Sequence, residues 1–175
     1  MSSRRFAREA RDRWLALRLA AAGRVHQYPE ILALRRFLAA FSIDCVVDVG
    51  ANYGQYATML RRDVGFGGHI LSFEPNPDVF AALECKAKGD ARWHVFHMAL
   101  SDVDGTAQFN IMAAHQFSSL RAPAEQLDEV FVSRNRVERT VDVPCRRIDG
   151  LFDQWRSAHG WARPFLKMDT QGHDS

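Results

Sequence analysis

The segment that most constrains this chain is Val46 to Tyr56, VVDVGANYGQY, where a short apolar run enters a Gly-x-x-x-Gly turn and a helical stretch follows. A buried strand that leads through a tight glycine turn into a helix opens a parallel α/β sheet, and it brings backbone close to any ligand at the carboxyl edge. The pattern repeats downstream. His69-Ile70-Leu71-Ser72-Phe73 reads as a second strand ending at Glu74-Pro75-Asn76-Pro77, Asp78 to Lys88 as a helix, and Trp93 to Met98 as a third strand. Strands alternating with helices, without internal repeats, predict a doubly wound, mostly parallel sheet.

After Ser101 the alternation breaks. Asp104-Gly105 signals a turn, and Thr106 to Met112 and Val137 to Pro144 have strand composition, which predicts an antiparallel addition at one sheet edge. Between them, 114–119 reads as a loop and 124–131 as a short helix. Ile148, Leu151, Phe152 and Trp155 share one helical face that stops at Gly160, and Phe165 to Asp169 forms a fourth core strand. Upstream, Arg5 to Ala22 predicts an amphipathic helix with Phe6, Ala10, Trp14, Leu17 and Ala21 on one face; Trp14 and Leu17 are expected to pack inward beneath a solvated arginine face. A second helix is expected from Pro29 to Phe41.

Charge separates the two parts. Residues 1–40 carry nine arginines against Glu9, Asp12 and Glu30, a net +6, whereas the remaining residues carry 14 basic and 18 acidic side chains, a net −4. The near-neutral total argues against a nucleic-acid binder driven by bulk electrostatics. The division expected is a basic helical segment over 1–40 and an α/β domain over 41–175. The basic helix also suits peripheral contact with an anionic membrane surface, and no apolar run is long enough to span a bilayer. Cys45, Cys85 and Cys145 are odd in number, far apart and outside any CxxC, which fits a reducing, cytoplasmic setting.

The ligand class can be narrowed from the same residues. There is no third glycine in the dinucleotide spacing and no Gly-Lys-Ser/Thr, and Asp48 would repel a pyrophosphate. Glu74, twenty residues beyond Gly54 at the end of the second strand, stands where an acid in such folds accepts hydrogen bonds from ribose hydroxyls. A ribose-binding acid without a phosphate loop suggests a nucleoside ligand that carries no phosphate, of which S-adenosylmethionine is the commonest.

At this point the chain resembles the FkbM family of S-adenosylmethionine-dependent methyltransferases. VVDVGANYGQYA (46–57), SFEPNPDVFAAL (72–83), HMALSDVDGTAQF (97–109), FSSL (117–120), VPCRRIDGLF (143–152) and LKMDTQGHD (166–174) carry the likeness in order. The resemblance implies a Rossmann-like fold of methyltransferase type with N-terminal helices. Asp48, Gly50, Ala51, Asn52 and Gly54 would form the first cofactor motif, near the methionine moiety. Glu74 would grip the ribose, while Ala99, Leu100, Ser101 and Asp102 would lie beside the adenine. Asp169 would stand close to methyl donor and acceptor, and His173, four residues on, is a second candidate for acceptor positioning and base. The implied reaction is O-methylation of a small-molecule, sugar or glycolipid hydroxyl.

Such methyltransferases have seven-stranded sheets, so a chain with four core strands is expected to be an N-terminal part of one, incomplete at the C-terminus, with Ser175 in the first turn of the next helix. Two other readings stand beside the enzyme: a noncatalytic, degenerate binding module, and a nicotinamide-dependent oxidoreductase, which the glycine spacing disfavours. No metal site is expected, because His94 and His97, three apart on a strand, point to opposite faces.

Overall fold

The computed structural model describes residues 3–112 and 137–169. FSSL at 117–120, the expected loop at 114–119, the expected helix at 124–131 and His173 lie outside the described residues. The chain divides into two compact units, Met1–Ser42 with Thr58–Phe66, and Ile43–Ala57 with Gly67–Ser175.

In the first unit, α1 (Ser3–Ala21) and α2 (Tyr28–Ala40) flank a 3₁₀ turn at Val25–Gln27, and Leu60–Val64 winds as a π-helix that closes at left-handed Gly65. Among the described side chains of α1, Leu15 and Leu19 are buried, whereas Phe6, Trp14 and Leu17 are 70%, 61% and 71% exposed. The expected inward face is therefore the outward one. The reason is an ion network around Asp63, whose carboxylate is buried and paired with Arg18 and with Arg24 Nη2 at 3.0 Å. Arg35 adds bonds from Nη2 to the Asp63 carbonyl at 2.6 Å, from Nε to the Val64 carbonyl at 3.0 Å, and from Nη1 to Asp12 Oδ1 at 2.7 Å. A buried carboxylate must be paired, so the arginine side of α1 is drawn inward and takes Leu15 and Leu19 with it.

The second unit holds two sheets. β1 (Cys45–Val49), β2 (His69–Phe73), β3 (Trp93–Phe96) and β7 (Pro164–Met168) form a four-stranded sheet in the order β3-β2-β1-β7, with every pair parallel. Every residue of β1 is buried, as a central parallel strand covered on both faces requires, and α3 (Gln55–Met59) follows the turn after it. One face packs Cys45, Val47, Val49, Leu71, Phe73 and Trp161 with Phe152 and Trp155 of α5 (Ile148–His159). On the opposite face Trp93 donates from Nε1 to Ser72 Oγ at 3.0 Å, beside α4 (Pro77–Ala87). Asn76 caps α4 by accepting from the Asp78 amide, and Pro77 opens its first turn. The Rossmann-like α/β architecture expected from the sequence is thus present.

The later strands depart from expectation. β4 (Ala99–Leu100), β5 (Gly105–Met112) and β6 (Val137–Arg146) form a separate three-stranded sheet in the order β4-β6-β5, not an edge of the first. β5 and β6 are antiparallel, and β4 runs parallel to β6. The third strand ends at Phe96 because the chain turns at His97: Met98 N donates back to Phe96 O at 3.1 Å, and the His97 ring sits 3.0 Å from the Pro75 carbonyl. Released from β2, Ala99 and Leu100 pair with Cys145 and Arg146. Ala99, Phe109, Ile111, Val143 and Cys145 supply this sheet with its own core.

Candidate functional site

Because all four strands of the first sheet are parallel, their carboxyl ends share one edge, and β1 lies where the chain order reverses, between β2 and β7. Such a switch point leaves a crevice outside the strand ends. Three acids stand there: Asp48 one residue before the end of β1, Glu74 directly after β2, and Asp169 directly after β7.

The turn after β1 is shaped by its neighbours. Gly50 has φ +71°, and a Cβ at that position would meet the Asp169 carbonyl oxygen at 2.2 Å. Gly54, also at φ +71°, would drive a Cβ into Leu83 and Trp93 at 2.8 and 2.9 Å. Both missing side chains are thus replaced by protein, which admits close packing of loop, helix and β7. The amides of the turn are likewise engaged. Gly50 N and Ala51 N donate to the Phe73 carbonyl at 3.1 and 3.0 Å, and Asn52 N to Glu74 Oε2 at 2.7 Å. Tyr53 N donates to Asn52 Oδ1 at 2.8 Å and Gly54 N to the Ala51 carbonyl at 2.9 Å. All five amides have protein acceptors, so the turn presents no cradle of N–H groups of the kind a phosphate requires.

Glu74 is buried, and its two oxygens each accept one backbone bond, from Asn52 N and, at 2.9 Å, from Asn76 N. An ionised carboxylate oxygen has a second lone pair, so both can still accept from a diol. Burial raises the pKa of Glu74, opposed by the two amides. Asp48 is wholly buried, and burial raises its pKa against the pull of Lys167. Lys167 Nζ lies 3.0 Å from Asp48 Oδ1 as an ion pair, yet among the described residues no well-directed hydrogen bond reaches either Asp48 oxygen. The same ammonium is 4.0 Å from Asp169 Oδ2, 3.4 Å from the Gly50 carbonyl and 5.6 Å from the Tyr56 ring centroid.

Lys167 is the residue that sequence reasoning missed. Its signal was present: a lysine inside an otherwise apolar strand, two residues before Asp169, so that both side chains leave the same face of β7. Register pairs Lys167 with Asp48 across the sheet. Against these three acids, Asp48, Glu74 and Asp169, stand Lys167 and, with its Nζ on the Tyr53 carbonyl at 2.5 Å, Lys86, so among the described residues the edge is net negative when all are ionised.

The structure brings Asp48, Gly50, Ala51, Asn52, Gly54, Glu74 and Asp169 together. Among the described residues, the bonds of Ala99 to Asp102 lie with the second sheet and the start of α5, where the Asp102 carbonyl accepts from Arg147 Nη1 at 3.2 Å, and not with these residues. Ala99 packs in its core, Leu100 packs against the first sheet's apolar face, Ser101 N donates to the Arg146 carbonyl at 3.0 Å, and Ser101 Oγ donates to Asp102 Oδ1 at 3.0 Å.

Among known proteins, the family described as the Methyltransferase FkbM domain matches residues 48–175. No curated protein and no solved structure matches the chain. The family match begins at Asp48, runs through Glu74 and Asp169, and spans most of the chain, over the same parallel sheet whose carboxyl edge gathers these acids. The chain therefore belongs to the FkbM-domain methyltransferases.

Proposed function

We propose that this chain binds S-adenosylmethionine at the carboxyl edge of the parallel sheet and serves O-methylation of a small-molecule, sugar or glycolipid hydroxyl. The observation that carries the reading is the self-contained turn after β1: its five amides are bonded to protein, while Glu74 keeps an open lone pair on each oxygen. A nucleoside without phosphate suits that arrangement, and a dinucleotide does not. The buried, poorly bonded Asp48 and the net negative edge suit a ligand that carries positive charge.

S-adenosylmethionine supplies an electrophilic methyl on a sulfonium centre. The protein's task is then to orient and to exclude water. Glu74 accepts the ribose hydroxyls, held rigid by Asn52 and Asn76. Asp48 places negative charge beneath the turn. Asp169, more than half exposed and anchored by its amide to the Val49 carbonyl at 3.1 Å, faces the crevice mouth and takes the proton of the acceptor hydroxyl; His173 is its alternative in that role.

Calorimetric titration of the chain with S-adenosylmethionine and, separately, with NAD⁺ tests this reading. Binding of the first only, weakened about 10- to 100-fold in Glu74→Ala, is expected from the loss of hydrogen bonds to a charged acceptor. Binding of NAD⁺ instead, or affinity for S-adenosylmethionine untouched by Glu74→Ala, would refute it. Binding without methyl transfer to any hydroxyl acceptor would favour the noncatalytic module.

A further inference from the structure

Three histidines from separate elements converge at the other end of the same sheet. His69 opens β2, His94 is the second residue of β3, and His159 is the last residue of α5. The register pairs His94 with Leu71, and Leu71 lies two residues from His69, so both imidazoles leave one face. That face is covered by α5, whose Trp155 packs on Phe73 and Phe96 with ring centroids 5.2 and 4.7 Å away. His159 follows Trp155 by four residues, on the same side of the helix.

The three rings meet closely. His69 Nδ1 is 3.3 Å from His94 Nε2, and one nitrogen from each of the three histidines can be chosen so that all lie within 4.8 Å of one another. The His159 ring centroid is 4.1 Å from that of His94 and 5.3 Å from that of His69. All three side chains are half-buried.

We infer that His69, His94 and His159 form a binding site for a divalent first-row transition metal, Zn²⁺ above all, that clasps α5 to β2 and β3. Zinc–imidazole bonds of about 2.0–2.1 Å at tetrahedral angles set ligand nitrogens roughly 3.3–3.4 Å apart, the separation of the His69–His94 pair. Three neutral imidazoles leave the fourth position for water, and an all-nitrogen set favours Zn²⁺, Cu²⁺ or Ni²⁺ over Mg²⁺ or Ca²⁺. Two ligands are fixed in the sheet. The third sits at a helix end terminated by left-handed Gly160, whose amide bonds to the Arg156 carbonyl at 2.9 Å, and binding would draw its imidazole in from a separation within 4.8 Å to that of the sheet pair. Glu74 lies five residues beyond His69 along β2, about 16 Å at strand rise, which makes the site a structural clasp, independent of the crevice at the carboxyl edge. His94 and His97, the pair closest in sequence, are not the pair that meets: His97 stacks on Phe80 instead, with centroids 4.9 Å apart.

The test uses the whole chain expressed without a polyhistidine tag. Titration with Zn²⁺ should give one ion per chain. Co²⁺ should give visible bands of tetrahedral intensity without the near-ultraviolet thiolate absorption that Cys45, Cys85 or Cys145 would produce. At roughly 100-fold excess over Kd, Zn²⁺ should raise the melting midpoint by about 5–10 °C. His159→Gln and His94→Gln should each weaken binding at least about 10-fold, and His26→Gln should leave it unchanged. No binding to the folded chain at about 100 μM metal overturns the proposal. So does a thiolate signature in the Co²⁺ spectrum, or affinity unchanged in His159→Gln with a cooperative melt retained, since the ion would then sit elsewhere.

Discussion

Replacing Gly50 by alanine separates two costs that are usually mixed. At φ +71° an L-residue pays for the left-handed conformation alone, about 1–2 kcal/mol. Gly160 sits at φ +69° in the same unit with nothing within 4 Å of its absent Cβ, so Gly160→Ala should cost only that. At Gly50 the added methyl would also lie 2.2 Å from the Asp169 carbonyl oxygen. It must be relieved by roughly 1 Å of backbone movement at the end of β7, at an overpacking cost of about 1–3 kcal/mol. That movement strains the Asp169 N to Val49 O bond, itself worth about 1 kcal/mol. Gly50→Ala should therefore cost about 3 kcal/mol, lowering the melting midpoint by roughly 6–12 °C. Urea melts of both variants at unchanged m-value make the comparison. A difference between them below about 0.5 kcal/mol would mean that the turn and β7 are not in the contact described.

Lys167→Met should destabilise by about 2–4 kcal/mol, because it leaves buried Asp48 without its cation; adding Asp48→Asn should restore much of the loss, and a thermal double-mutant cycle reads the coupling. Burial raises the pKa of Asp48 and Glu74, so the stability they contribute is present below the unfolded carboxylate range near 4 and is lost as pH rises toward their folded values. The stability of Asp48→Asn relative to the parent should accordingly increase with pH between about 4 and the folded value and then level off, as urea midpoints across pH would show. A constant difference would contradict the raised pKa. Asp169→Asn should bind S-adenosylmethionine as the parent does but lose turnover in a methyl-transfer assay, and undiminished turnover would remove Asp169 from the reaction.

Local signals and long-range ones fared differently. β1 and β2 were legible because burial on both faces makes their runs mostly apolar, and α4, expected from Asp78 to Lys88, because it follows the turn at Glu74 to Pro77; its start at Pro77, capped by Asn76, lies one residue earlier. α5 was legible to the residue at both ends, since its apolar face repeats at helical spacing up to Gly160. The orientation of α1 was not: hydrophobic spacing favoured Trp14 and Leu17, but the buried carboxylate of Asp63, far along the chain, outweighs them. The end of β3 depends on a contact between His97 and the Pro75 carbonyl that no neighbouring residue announces. Likewise Asp48, Glu74 and Asp169 could be placed at strand ends by pattern, whereas Lys167 acquires meaning only through its register with Asp48. The histidine trio needs β2, β3 and α5 assembled before it exists.

The bonded amides of the turn at 50–54 also bear on how any ligand is received. Gly50 and Ala51 share one carbonyl of β2, and Asn52 is fixed by Glu74, so these protons should exchange slowly with deuterium before a ligand arrives. Little chain entropy then remains to be lost on binding, and the rate of association should be that of a preformed cleft rather than of a closing loop. Among ligands of one class, differences in affinity should come from the groups surrounding the turn, while the turn itself contributes the same rigid floor to all of them.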